Sequence, residues 1–147
     1  VLHYNEDIFV GYRYFDTYKV KPQFAFGHGL SYTNFEYSNL QVALNQDSTV
    51  TVSFNITNTG KRAGYEIAQL YVKPYQSLLP RPEKELKGFE KVWLEPKETK
   101  TVKLVCNRDA FEYYDDQNFK WVFENGTYGI NVGSASDSIK LKQNINL

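Results

Sequence analysis

The side chains able to do chemistry in this sequence are 17 carboxylates, two histidines and one cysteine. Acid–base or nucleophilic work by carboxylates needs two of them aimed at one reacting bond. Asp115 and Asp116 are sequence neighbours; on a strand such neighbours point to opposite faces, so the pair reads as a solvated turn. Glu83 and Glu85 stand among Arg81, Lys84 and Lys87, a mixture that reads as solvated charged surface. His3 and His28 are the only histidines, and no Cys/His spacing supplies the clustered ligands of a zinc site. His28, between Gly27 and Gly29, reads as a local hydrogen-bonding residue. Cys106, in phase with Val102 and Leu104, reads as a small buried hydrophobe, a stronger reading than a Cys/His nucleophile. No phosphate-cradling glycine motif occurs. Asn55-Ile56-Thr57 and Asn125-Gly126-Thr127 match the glycosylation tripeptide, but read first as strand and turn residues. These residues predict no catalytic group, no cofactor and no metal site of the chain's own.

The elements that would position any site are strands. Val50, Val52, Phe54 and Ile56 alternate with Thr51, Ser53, Asn55 and Thr57, the pattern of a half-buried antiparallel strand. Asn58-Thr59-Gly60 supplies a turn. Tyr65 to Lys73 is a second strand, apolar on both faces and therefore central in its sheet, with Ala68, Leu70 and Val72 inward. Pro74, Pro80 and Pro82 make the next segment a loop or edge crossing. Leu86 to Leu94 and Thr99 to Cys106 follow as strands around the turn Glu95-Pro96-Lys97-Glu98. Phe119, Trp121 and Phe123 alternate, Asn125-Gly126 signals a hairpin turn, and Tyr128, Ile130 and Val132 share a face, as do Ile139, Leu141, Ile145 and Leu147. This predicts an all-β antiparallel sandwich of about seven to eight strands over residues 35–147, with no amphipathic helix. Residues 1–34, rich in aromatics and glycine without alternation, predict an irregular but structured N-terminal arm.

Lysine plus arginine balance aspartate plus glutamate at 17 each, which argues against a nucleic-acid footprint and against attraction to anionic membranes. One cysteine closes no intrachain disulfide, and no apolar run approaches bilayer-spanning length. The first residues show no signal-peptide pattern, which leaves the compartment open. The absence of methionine predicts a piece of a longer polypeptide.

Six blocks carry a resemblance. Glu6-Asp7-Ile8-Phe9-Val10-Gly11-Tyr12-Arg13-Tyr14-Phe15-Asp16 and Phe26-Gly27-His28-Gly29-Leu30-Ser31-Tyr32-Thr33 resemble the segment that joins the second catalytic domain of family 3 glycoside hydrolases of the β-glucosidase type to their last domain. Asn58 to Gly64 with Glu66 to Val72, Arg81 to Val92, and Gly126 to Ser134 are similar to that last, fibronectin type III-like domain. The sequence departs from the family pattern at Tyr65 (usually acidic), Ala25 (usually proline) and Lys97 (usually glycine).

The resemblance implies a fibronectin type III/immunoglobulin-like sandwich whose partners are the catalytic domains of the same polypeptide. It implies a parent enzyme that acts on a β-linked glycoside with two carboxyl groups. Both precede this segment in the family, so neither falls on a residue of this chain. Tyr12, Arg13, Tyr14, Phe15, Phe24, Phe26 and Tyr32 are the candidates for packing against those domains, with Arg13 expected to pair with a carboxylate there. The alternative is a carbohydrate-binding module, in which exposed tyrosines and Trp93 or Trp121 stack on sugar rings.

Overall fold

The computed structural model describes residues 5–147. A short helix, α1 (Tyr12–Thr17), precedes nine strands: β1 (Phe35–Leu44), β2 (Val50–Asn58), β3 (Gly64–Pro74), β4 (Glu85–Leu94), β5 (Thr99–Cys106), β6 (Tyr113–Asp115), β7 (Lys120–Val122), β8 (Thr127–Ala135) and β9 (Ser138–Asn146). One sheet has the order β1-β2-β5 and the other β4-β3-β8-β9, all neighbours antiparallel; β6 and β7 form a separate two-stranded ribbon. The two larger sheets face each other as a sandwich, β1 lying against β9 and β5 against β4. The count is one above the expected range because β6 and β7 are only three residues each.

Strand β2 alternates buried and half-exposed residues along its whole length, as its period of two requires. Val50, Val52, Phe54 and Ile56 meet Ala68, Leu70 and Val72 of β3 and Tyr128, Ile130 and Val132 of β8 in one core, closed by Tyr37, Leu94, Val102, Cys106 and Phe111. Burial of each such large apolar side chain stabilises by about 1.5–3 kcal/mol. Strand β3 is central, as its two-faced apolar pattern predicts. Cys106 is buried in that core, and desolvation, followed by the nearby Asp109 carboxylate, pushes its thiol up to about 11. It is therefore protonated and unreactive near neutral pH.

Asn58 does more than turn the chain. Its fully buried side chain accepts from Thr33 Oγ1 (2.6 Å) and the Gly60 amide (3.0 Å), and donates to the Arg62 and Leu94 carbonyls (2.7 and 3.2 Å). One satisfied amide thus knits the ends of β2 and β4 to the end of the arm. The tight approach there leaves no room for a Cβ at Gly60, which would meet the Thr33 side chain.

Three expectations need correction. The alternation of Phe119, Trp121 and Phe123 is not carried by one strand: Phe119 sits at φ 51°, outside the short β7, and it and Trp121 are exposed, while Phe123 packs against the core. Asn125-Gly126 makes no hairpin, because β7 and β8 belong to different sheets; the Gly126 amide and carbonyl pair instead with Leu147. The arm is not wholly irregular, since it contains α1. At six residues this helix is far too short to persist alone, so it exists only because it is docked.

Lys97 occupies the turn between β4 and β5 at φ 67°, where an L side chain is strained. The family's usual glycine would relieve that strain, at some entropic cost in the unfolded chain. Lys97→Gly is expected to stabilise the domain by about 0.5 kcal/mol, read as a higher urea midpoint. A lower midpoint would mean that the Lys97 Nζ bond to the Thr59 carbonyl (2.6 Å) outweighs the strain.

Candidate functional site

The arm and the loop from β3 to β4 meet in a seam of charges that the sequence presented as open surface. On α1, residues 12, 13, 16 and 17 fall on one helical face. Each engages residues 83–86, where the chain enters β4. The Leu86 amide donates to the Tyr12 hydroxyl (2.9 Å), Arg13 pairs with Glu85 (3.0 Å), Lys84 pairs with Asp16 (2.7 Å), and the Glu83 amide donates to Thr17 Oγ1 (2.8 Å). The block Arg81 to Lys87 is therefore an interface inside the chain, not solvated surface. Within this chain Arg13 pairs with Glu85, its side chain remaining 36% exposed.

Beneath the helix the seam deepens. Arg81 is 3% exposed along its side chain. Its guanidinium donates to the Phe111 and Glu112 carbonyls (3.1 and 3.3 Å), lies 3.6 Å from Glu85, and sits over the Tyr113 ring. It joins the seam to the turn that follows β5. Glu83 is held between Lys73 and Lys19. Burial would raise its pKa, but the hydrogen bond and charge of Lys73, with Lys19, hold it below the usual carboxylate range.

The aromatic residues of the arm divide by face. The Tyr12 ring stacks on Phe26 (4.9 Å) and meets the buried Tyr71 of β3 edge-on (5.9 Å). Burial first, then the charges of Tyr12, Asp16 and Asp137, push the Tyr71 hydroxyl well above its ordinary range; it donates to Gln69 Oε1. Gly27, at φ 82°, presses against the Gln69 side chain so closely that a Cβ has no room. The Ser136 amide donates to the Phe26 carbonyl (2.8 Å). Tyr14 and Tyr18, one turn apart on the outer helical face, pack on each other at 4.9 Å. Tyr14, Phe24, Phe26 and Tyr32 are exposed, Tyr32 to 89%, and Phe15 is half-buried. Of the packing candidates, Tyr12 and Arg13 are thus engaged with the chain's own sandwich, Phe26 stacks on Tyr12 while keeping an exposed side, Phe15 is half-buried, and Tyr14, Phe24 and Tyr32 present apolar surface outward. The seam partners Asp16, Thr17, Lys84 and Glu85 were missed in the sequence because α1 was; the spacing of Tyr12, Arg13, Asp16 and Thr17 on one helical face was the available signal.

The remaining candidates are placed as follows. Asp115 accepts from the Gln117 and Asn118 amides and from Asn118 Nδ2, which makes it the organiser of the β6–β7 turn. The His28 ring tilts against Phe24 (5.2 Å), and its backbone amide donates to the Ala25 carbonyl. His3 lies outside the described residues. Among the described residues, no group of three or more histidine, cysteine or carboxylate side chains is placed to hold a metal ion. Asn55 accepts from Thr101 Oγ1 across the strands, and Asn125 is exposed. Trp93 and Trp121 both reach solvent, Trp121 to 65%, paired edge-on with Tyr65 and Tyr114 respectively.

Comparison with known proteins converges on one family. Residues 66–136 match the model of the fibronectin type III-like domain. The chain is 50% identical, over 98% of its length, to the thermostable β-glucosidase B of Acetivibrio thermocellus, and 45% identical over 93% to the β-glucosidase BoGH3A of Bacteroides ovatus. It superimposes on β-glucosidase 3B of Thermotoga neapolitana, solved with glucose, at a TM-score of 0.91 with 43% identity over 97% of the chain. On the Bifidobacterium adolescentis GH3 β-glucosidase it gives 0.93 with 37% identity over 97%. It spans only 19–21% of the length of these relatives. Residues 66–136 belong to the fibronectin type III-like domain family, and the chain as a whole corresponds to the C-terminal part of family 3 β-glucosidases.

Proposed function

We propose that this chain is a non-catalytic domain that packs against the catalytic domains of a β-glucosidase-type parent and stabilises their arrangement. Residues 1–34 are the arm that leads out of the preceding domain, and residues 35–147 are the sandwich. The observation that carries this reading is the two-sided arm: one face is clamped to the sandwich by the seam, while Tyr14, Phe24, Phe26 and Tyr32 are left facing outward. So many exposed aromatics within one short segment mark a surface made for a partner. The parent then hydrolyses a β-linked glycoside with carboxyl groups that lie outside this chain. The test is removal of residues 35–147 from the full-length polypeptide. The truncated enzyme should lose thermal stability or solubility; an unchanged melting temperature together with unchanged activity would overturn the reading.

A second reading, carbohydrate binding, is favoured by one feature, the solvent-facing Tyr114, Phe119 and Trp121 around the β6–β7 ribbon. Isothermal titration with gluco-, xylo- and manno-oligosaccharides separates the two. Saturable binding abolished by Trp121→Ala would establish it, and no heat at millimolar ligand would remove it.

A further inference from the structure

A cavity of about 250 Å³ opens where the arm meets the loop between β3 and β4. Thr17 of α1 lines it, with Tyr75, Gln76, Ser77, Arg81 and Glu83 of the loop. It shares no residue with the exposed Tyr114, Phe119 and Trp121 around the β6–β7 ribbon. The walls are held in place from outside. The Tyr75 amide donates to the Thr127 carbonyl (3.1 Å), and the edge of its ring lies 3.2 Å from where a Cβ at Gly129 would stand. Gln76 accepts from the Thr127 amide through Oε1 (3.3 Å), which leaves its NH₂ to donate. Pro74, Pro80 and Pro82 fix backbone angles along the loop, so little order is lost when a ligand enters. Among the described residues, Arg81 Nε is the one buried side-chain nitrogen or oxygen without a hydrogen-bond partner. A buried donor in that state is costly, and an acceptor beside it recovers the loss.

We infer that this cavity is a binding site for a small neutral polyhydroxyl molecule, of the size of one sugar ring. The volume sets the size: it is about eight times the share of one liquid water and lies below the range of drug-sized pockets. The charges set the class. Lys73 and Lys19 are paired with Glu83, and the terminal nitrogens of Arg81 serve the Phe111 and Glu112 carbonyls and face Glu85. An anion therefore finds both lysines already paired and meets the Glu83 carboxylate. A cation meets the Arg81 guanidinium. An apolar molecule leaves Arg81 Nε without an acceptor. A hydroxyl group both donates and accepts, and the walls offer both. Arg81 Nε and the Gln76 amide donate, Glu83 accepts, and the Thr17 and Ser77 hydroxyls do either. The exposed Tyr75 ring adds an apolar surface for the C–H groups of a ring. Thr17 belongs to the arm and the other five residues to the loop, so occupancy tightens the docking of α1. The inference goes beyond the packing role proposed above and does not depend on it.

The test is amide hydrogen exchange on the full-length polypeptide with D-glucose as the added molecule, against D-glucuronate and D-glucosamine, which keep the ring and add a charge. At several times its Kd, D-glucose should slow exchange within residues 75–83 and in α1 by at least about fivefold, and the two charged sugars should not. Tyr75→Ala/Gln76→Ala, at two exposed positions outside the core, should remove the effect, and Trp121→Ala should leave it in place. Four results overturn the inference. No slowing at tens of millimolar D-glucose would mean that the cavity takes up water alone. Equal slowing by either charged sugar would mean that charge does not select the ligand. Loss of the effect with Trp121→Ala would put the sugar on the ribbon. Its persistence in Tyr75→Ala/Gln76→Ala would put the sugar elsewhere in the polypeptide.

Discussion

Arg81→Ala is expected to destabilise the domain by about 3–5 kcal/mol, the cost of removing one partner from a buried charge network. The guanidinium satisfies the Phe111 and Glu112 carbonyls, faces Glu85 and covers the Tyr113 ring. Removal leaves two carbonyls without this donor and concentrates negative charge in a dry seam. Glu85 then keeps only Arg13 and Lys87. For a domain of this size the loss corresponds to a fall in Tm on the order of 10 °C, measurable by calorimetry. Arg81→Lys restores the charge but not the fork that reaches two carbonyls at once, so it should recover less than half of the loss. Full recovery by lysine would show that charge alone matters. A loss below about 1 kcal/mol would mean that the seam behaves as exposed ion pairs do.

Tyr12→Ala should release the arm without unfolding the sandwich. The substitution removes a ring packed on Phe26 and Tyr71 and leaves the Leu86 amide without its acceptor. These losses sum to about 2–4 kcal/mol of docking free energy. Because α1 cannot stand alone, the expected outcome is local. Amides of residues 12–28 should exchange on the order of a hundredfold faster and the arm should become sensitive to protease, while β2 and β8 keep their protection. Tyr12→Phe, which keeps the ring and loses only the acceptor, should cost about 1–2 kcal/mol. Equal acceleration in arm and core would show instead that the two unfold as one cooperative unit.

Much of this was legible from the residues. The period-two runs located β2, β3, β5 and β8, and the two-faced pattern of β3 placed it centrally, because a residue's phase on a strand fixes its face whatever the partner. The ordered blocks carried the family. The charge cluster was misread for a physical reason: residues 81–87 look the same whether water or a helix covers them. Only the docking of six helical residues, with Asp16 and Arg13 brought 68 and 72 positions along the chain to Lys84 and Glu85, turns them inward. The ribbon around Trp121 was likewise hidden, since alternation over Phe119 to Phe123 reads as a single strand until Phe119 adopts a positive φ and the ribbon leaves both main sheets.

What the sequence alone determined is the sandwich, its buried faces and the absence of a charge imbalance, all properties of local phase and composition. What the tertiary structure decided is which outward faces are truly outward. Cover is supplied by distant segments, whose arrival no local pattern records. Tyr71 and Phe89 occupy outward positions on neighbouring strands with comparable side chains, yet the arm crosses one and leaves the other bare.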